Sequence, residues 1–146
     1  MDDLVRALAY EVFGLLEHYI QVHNDMLGRK WLAWLQPIDF EGNARKLTHI
    51  DQVLENARLQ ALELQSSSQA LARHREYLRV LVSYVVALSD TVSILRDIAE
   101  NMSKKARGGQ YDMSQYQQDM DNYKVSVQRY KNAGEILKVA WAKAGL

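Results

Sequence analysis

Between Gly42 and Gly108 the chain contains neither glycine nor proline. Those two residues end regular structure most readily, glycine through its backbone freedom and proline through its missing N–H. A stretch this long without either, rich in Leu, Ala, Gln, Glu and Arg, is confined to helix almost by elimination. The only proline is Pro37, in WLQPIDFEGN, and the next strong break after Gly42 is Gly108-Gly109, in KKARGGQYD.

Periodicity makes the same case along the whole chain. Val5, Leu8, Val12, Leu15, Tyr19, Val22 and Met26 alternate spacings of three and four. So do Leu78, Leu81, Val85, Leu88, Val92, Leu95, Ala99 and Met102. Met113, Tyr116, Met120, Tyr123, Val127, Tyr130, Gly134, Leu137, Trp141 and Ala144 repeat the pattern near the C-terminus. Apolar residues at that spacing form one face of an α-helix, and the sustained period favours left-handed, coiled-coil-like packing. No alternation of period two competes, so the chain reads as all-α. End signals agree: Asp2 or Asp3 can cap the first helix, and Thr48 with Asp51 resembles a capping box. Lys104, Lys105 and Arg107 suit a last turn before Gly108, and Asp112 caps the final helix.

LQSSSQAL, Leu64 to Leu71, reads in two ways. Its serines compete for backbone hydrogen bonds and favour a break. Ile50, Ala57, Leu64, Leu71 and Leu78 nevertheless keep one column straight through it. A break near Ser67 gives segments of similar length and is the favoured reading. The expectation is a single domain, 1–146, forming a four-helix, coiled-coil-like bundle with helices at about 3–26, 47–66, 69–106 and 112–143. A short extra helix at 29–36 would cross one end between helices 1 and 2. The alternative is an elongated bundle with one continuous helix over 48–102.

Bulk properties narrow the function classes. The chain is long enough to bury a real core. Its 18 basic and 18 acidic residues balance, which argues against a nucleic-acid partner. Absent cysteine removes disulfides, thiolate metal sites and a cysteine nucleophile. Met1-Asp2-Asp3 opens no Sec-type signal peptide, so the expected compartment is the cytoplasm, with signal-independent export as an alternative. VLVSYVVALSDTVSIL, Val80 to Leu95, is short for a membrane span and carries Asp90, so a core helix is expected there.

Chemistry finds little purchase. His18, His23, His49 and His74 form no Glu-x-x-His pair, and His18 and His23 diverge around a helix. Solvated histidines are expected, with His74 as a possible polar register position on the seam. No metal, no cofactor and no catalytic residue is expected, since nucleophile elbows, phosphate loops and dinucleotide fingerprints are all missing. Asp90 is expected on an outer face with Ser83 and Asp97.

The aromatic residues are more informative. Trp31 and Trp34, in RKWLAWLQP, read as a lid on the bundle end or as a second partner-binding patch. Tyr116, Tyr123 and Tyr130 repeat every seven residues. Each must place a hydroxyl on water or a partner, so they suggest a wetter seam than leucine would. With Trp141 they are the candidate anchors for another protein chain or for self-association. DNYKVSVQRYKNAGEILK, Asp121 to Lys138, is similar in style to tyrosine-rich amphipathic helices in helical subunits and chaperones of bacterial export machines. The leading expectation is a non-enzymatic interaction module, an adaptor, chaperone-like subunit or assembly component. The alternatives are an exported helical structural component and a bundle that binds a small molecule or cofactor.

Overall fold

The computed structural model describes residues 1–28 and 37–146. The extra helix expected over 29–36, with Trp31 and Trp34, lies outside the described residues. Four helices and no strand are found among the described residues: α1 (Asp2–Leu27), α2 (Phe40–Ser66), α3 (Ala72–Ala106) and α4 (Met113–Ala144). The all-α bundle expected from periodicity is thus the observed architecture.

Cross-helix pairs fix the topology. Asn43 Nδ2 donates to Asp25 Oδ2 at 2.8 Å, joining the end of α1 to the start of α2. Asp51 of α2 accepts from Ser89 and meets Arg96 at 3.5 Å on α3. Thr91 and Ser126 hydroxyls share a buried hydrogen bond of 2.6 Å between α3 and α4. Successive helices therefore run antiparallel. α3 touches all three others and carries two buried stripes rather than one. Leu78, Leu81, Val85, Leu88, Val92 and Leu95 face one way, while Tyr77, Val80, Tyr84, Thr91 and Ile98 fill the adjoining side. α3 is long and apolar enough to cross a membrane. Here that apolarity is spent on packing, because a helix enclosed by three neighbours needs a broad buried face.

Two boundaries differ from expectation. α2 begins at Phe40, seven residues before the expected 47, and Thr48-Asp51 is no cap. Its N-cap is Asp39, whose Oδ1 accepts the Gly42 N–H at 2.9 Å. A Cβ on Gly42 would sit 2.2 Å from the Asp39 carboxylate, so this glycine makes room for the cap instead of breaking the helix. Thr48 merely donates back to Ala44 O at 3.0 Å. The first helix likewise has Met1 as its N-cap residue, with Asp2 and Asp3 in the first turn.

The break near Ser67 is present. Ser67 is extended at ψ 141°, its Oγ accepts the Gln69 N–H at 3.2 Å, and its carbonyl accepts Ala70 N–H at 3.1 Å. The column is a seam on either side of the turn, with Ile50, Ala57 and Leu78 buried and Leu64 packed on the core, but it is interrupted at Leu71, which is 55% exposed. Asp112 caps α4 as expected, its Oδ1 accepting from Gln115 N at 2.7 Å. Gly108 follows α3 at φ +92°, a conformation that residues with a Cβ avoid.

Candidate functional site

Among the described residues no Cα of α1 lies within 8 Å of one in α4, although both pack on α3. Large side chains hold the two helices apart. Trp141 meets Tyr10 at 6.1 Å, Phe13 at 6.5 Å and, edge-on, Tyr77 at 5.5 Å between ring centres. Tyr19 stands perpendicular to Tyr130 at 5.8 Å, and His23 stacks on Tyr123 at 5.7 Å. Aromatic pairs favour such offset and edge-on contacts. They also leave space between the backbones that aliphatic interdigitation would close.

The result is an apolar trough of about 870 Å³. Tyr10, Phe13, Leu16 and Ile20 form its α1 wall, Leu137 and Trp141 its α4 wall, with Tyr84 and Tyr130 beneath. A second hollow of about 480 Å³ continues the cleft toward the other end, between His23 and Leu27 on α1 and Tyr116, Met120 and Val127 on α4. Tyr10 is 61% exposed and Ile20 39% exposed, so both reach solvent from the wall.

A polar chain crosses the cleft floor. Tyr19 and Tyr123 hydroxyls hydrogen-bond to each other, and the Tyr123 hydroxyl meets His23 Nδ1 at 2.6 Å. Burial pushes the Tyr123 and Tyr19 phenols far above their ordinary pKa, so both stay protonated. Burial, aided by the nearby Lys131 ammonium, lowers the His23 pKa and favours neutral imidazole. Neutral tyrosines and a neutral imidazole make a hydrogen-bonded cross-brace with no carboxylate or nucleophile in it.

The expected tyrosine column therefore divides. Tyr123 and Tyr130 are buried in the core, at 1% and 7% exposure, and do not line a wet surface seam as expected. Tyr123 takes its hydroxyl and ring partners from α1, and Tyr130 packs its ring on Tyr19 of α1 and Tyr84 of α3, which makes them floor and brace. Tyr116 is half-buried against Tyr111 at 6.1 Å and does reach the cleft. Trp141 is half-buried at the opposite end of the trough. The structure thus brings Tyr116 and Trp141 to one cleft, with Tyr123 and Tyr130 below it.

Sequence reading missed the α1 wall. Its signal was present in Phe13, Ile20 and Leu27, a second apolar stripe at seven-residue spacing beside the buried seam. Of the histidines, His18 and His49 are exposed, and His74 is buried at 2%. His74 Nδ1 accepts the Leu71 N–H at 3.0 Å, which places its proton on Nε2, bonded to Asp2. No group of three metal-ligating side chains occurs among the described residues. Asp90 is exposed on the outer face, alongside Ser83 and Asp97.

The chain matches no protein-family model, and neither the curated proteins nor the solved structures contain a significant match to it.

Proposed function

We propose that this protein is a non-enzymatic interaction module that receives an amphipathic helix of a partner protein in the cleft between α1 and α4. One observation carries the reading: aromatic props hold the two helices apart over a trough whose walls both repeat every seven residues. Phe13, Ile20 and Leu27 form one wall row, and Met120, Val127, Gly134 and Trp141 the other. Side chains at heptad spacing on two helices offer the holes that a third helix fills with its own knobs. An α-helix with its side chains is about 10 Å across, so it can ride between backbones too far apart to touch.

Gly134 supplies the test. It sits inside α4, and a Cβ there meets only Tyr84 Cε2 at 3.5 Å, an ordinary contact. A side chain at 134 is compatible with the helix and intrudes on the trough. The probe is a synthetic helix of about 21 residues with Leu at a and d and Gln along both edges. Saturable binding to the wild type is expected, weakened roughly tenfold or more in Gly134→Leu and in Tyr10→Glu. Circular dichroism melts confirm that both variants are folded. A folded wild type that shows no saturable binding removes the reading. Release of a bound lipid or coloured ligand on extraction would replace it with a small-molecule site.

A further inference from the structure

We infer that the helix received by this cleft carries acidic residues along one edge, read by the row Lys124, Lys131 and Lys138; this inference rests on the cleft being a helix-docking site. The three lysines are seven residues apart, and all three line the cleft from the α4 side. They form one rim, lying beside the apolar row that runs through Val127 and Gly134.

Their charges are left largely unanswered within the chain. Lys124 and Lys131 have no carboxylate within ion-pair distance among the described residues, and Lys138 has only Glu135, at 3.5 Å, which lines the same rim and leaves it a net positive charge. Arg6, Arg45, Arg58 and Arg79 each have a carboxylate one helical turn away, whereas Lys46, Lys104, Lys105 and Lys143 have no ion pair among the described residues. What sets the rim row apart is that its three charges recur every seven residues along one cleft. Lys131 also stands near enough to His23 to depress its ionisation, so its charge is felt inside the cleft. Across the trough the α1 wall presents uncharged Tyr10, Phe13 and Ile20. The cleft is therefore apolar along its floor, basic along one rim and not along the other.

That asymmetry selects a guest by chemistry. A helix whose apolar stripe enters the trough exposes an edge to each rim, as the e and g positions of a coiled coil do. Acidic residues recurring about every seven positions on the edge facing α4 would meet the lysines in register. The same helix with basic residues there would set like charges against each other. Such rim charges act on partner choice and association rate more than on bulk affinity.

The experiment compares two peptides of about 21 residues, identical in their Leu stripe and differing only in one edge, Glu or Lys. Each is titrated into wild-type protein and into Lys124→Glu/Lys131→Glu/Lys138→Glu, with melts to confirm folding. The wild type is expected to favour the Glu-edged peptide by roughly tenfold at low salt, with the preference shrinking at high salt. The charge-reversed variant is expected to favour the Lys-edged peptide. Equal binding of both peptides, unaffected by the reversal, overturns the inference and leaves the docking cleft standing. If the Gln-edged, Glu-edged and Lys-edged peptides all fail to bind, the docking reading falls and takes the inference with it. Concentration-dependent dimerisation abolished by the same reversal also overturns it, in favour of a second copy of this chain.

Discussion

Tyr77 and Tyr123 are both about 1% exposed, yet their hydroxyls are placed very differently. The Tyr123 hydroxyl bridges Tyr19 and His23, whereas the Tyr77 hydroxyl is buried with no hydrogen-bond partner among the described residues. An unmet buried hydroxyl costs stability, while a bonded one costs stability when removed. Tyr77→Phe should therefore leave the protein as stable or about 1 kcal/mol more stable, with the ring still edge-on to Trp141. Tyr123→Phe strands two partners at once and should cost about 1–3 kcal/mol. Urea unfolding of the two variants beside wild type checks both signs, and a destabilised Tyr77→Phe would contradict the assignment. At this scale the sequence announced that the tyrosines are not leucine-like. It could not say where their hydroxyls go, because Tyr19 and Tyr123 are 104 residues apart and meet only across a folded cleft.

At the scale of elements, helix interiors were legible and one helix start was not. α1, α3 and α4 each follow a seam that periodicity exposes, and the Ser67 break follows from hydroxyls that serve the backbone. The start of α2 was obscured because Gly42 looked like an end. In the folded chain Gly42 is a cap partner, and Asp51, read as half of a capping box, reaches across to Ser89 and Arg96. A direct contrast follows. Asp39→Ala removes the acceptor of the orphan Gly42 N–H in the first turn and should cost about 1 kcal/mol. Thr48→Ala removes only a hydroxyl bonded to its own helix and should be neutral or slightly stabilising, since alanine is the better helix former. Chemical denaturation of the pair would show the reverse order if the helix began at 47.

The molecule as a whole gathers three helix ends at one pole and its aromatic brace along one side, and both features tie stability to pH. Arg73 Nη2 donates to Asp2 at 2.8 Å and its Nη1 donates to Ala144 O at 2.7 Å, so the beginnings of α1 and α3 and the end of α4 are fastened together. No single helix face reveals that clamp or the α1–α4 cleft, because each is a relation between segments distant in sequence. That is why four helices could be read from the chain while the place where two of them part could not. Hydrogen bonds from His74 and Arg73 hold the Asp2 carboxyl at about 2, below its ordinary 3.8. A carboxyl with a depressed folded-state pKa stabilises fully above its unfolded value, and that contribution fades as pH falls toward 2. His23 is also depressed, below 6.5, so the folded state binds its proton more weakly than the unfolded state does. Its contribution is full above 6.5 and fades on acidification below that value. At the alkaline end Tyr19, Tyr77, Tyr84, Tyr111, Tyr123 and Tyr130 are all raised above their ordinary 10, chiefly by burial. The folded state resists losing those protons, so stability should fall as pH rises past 10. A melting-temperature profile should accordingly be flat near neutrality, decline in one step below 6.5 and in another below 3.8, and drop steeply above 10. His23→Gln should erase the first acid step and Asp2→Asn the second, each leaving the other in place. An unchanged step in either variant would mean that a different group carries it.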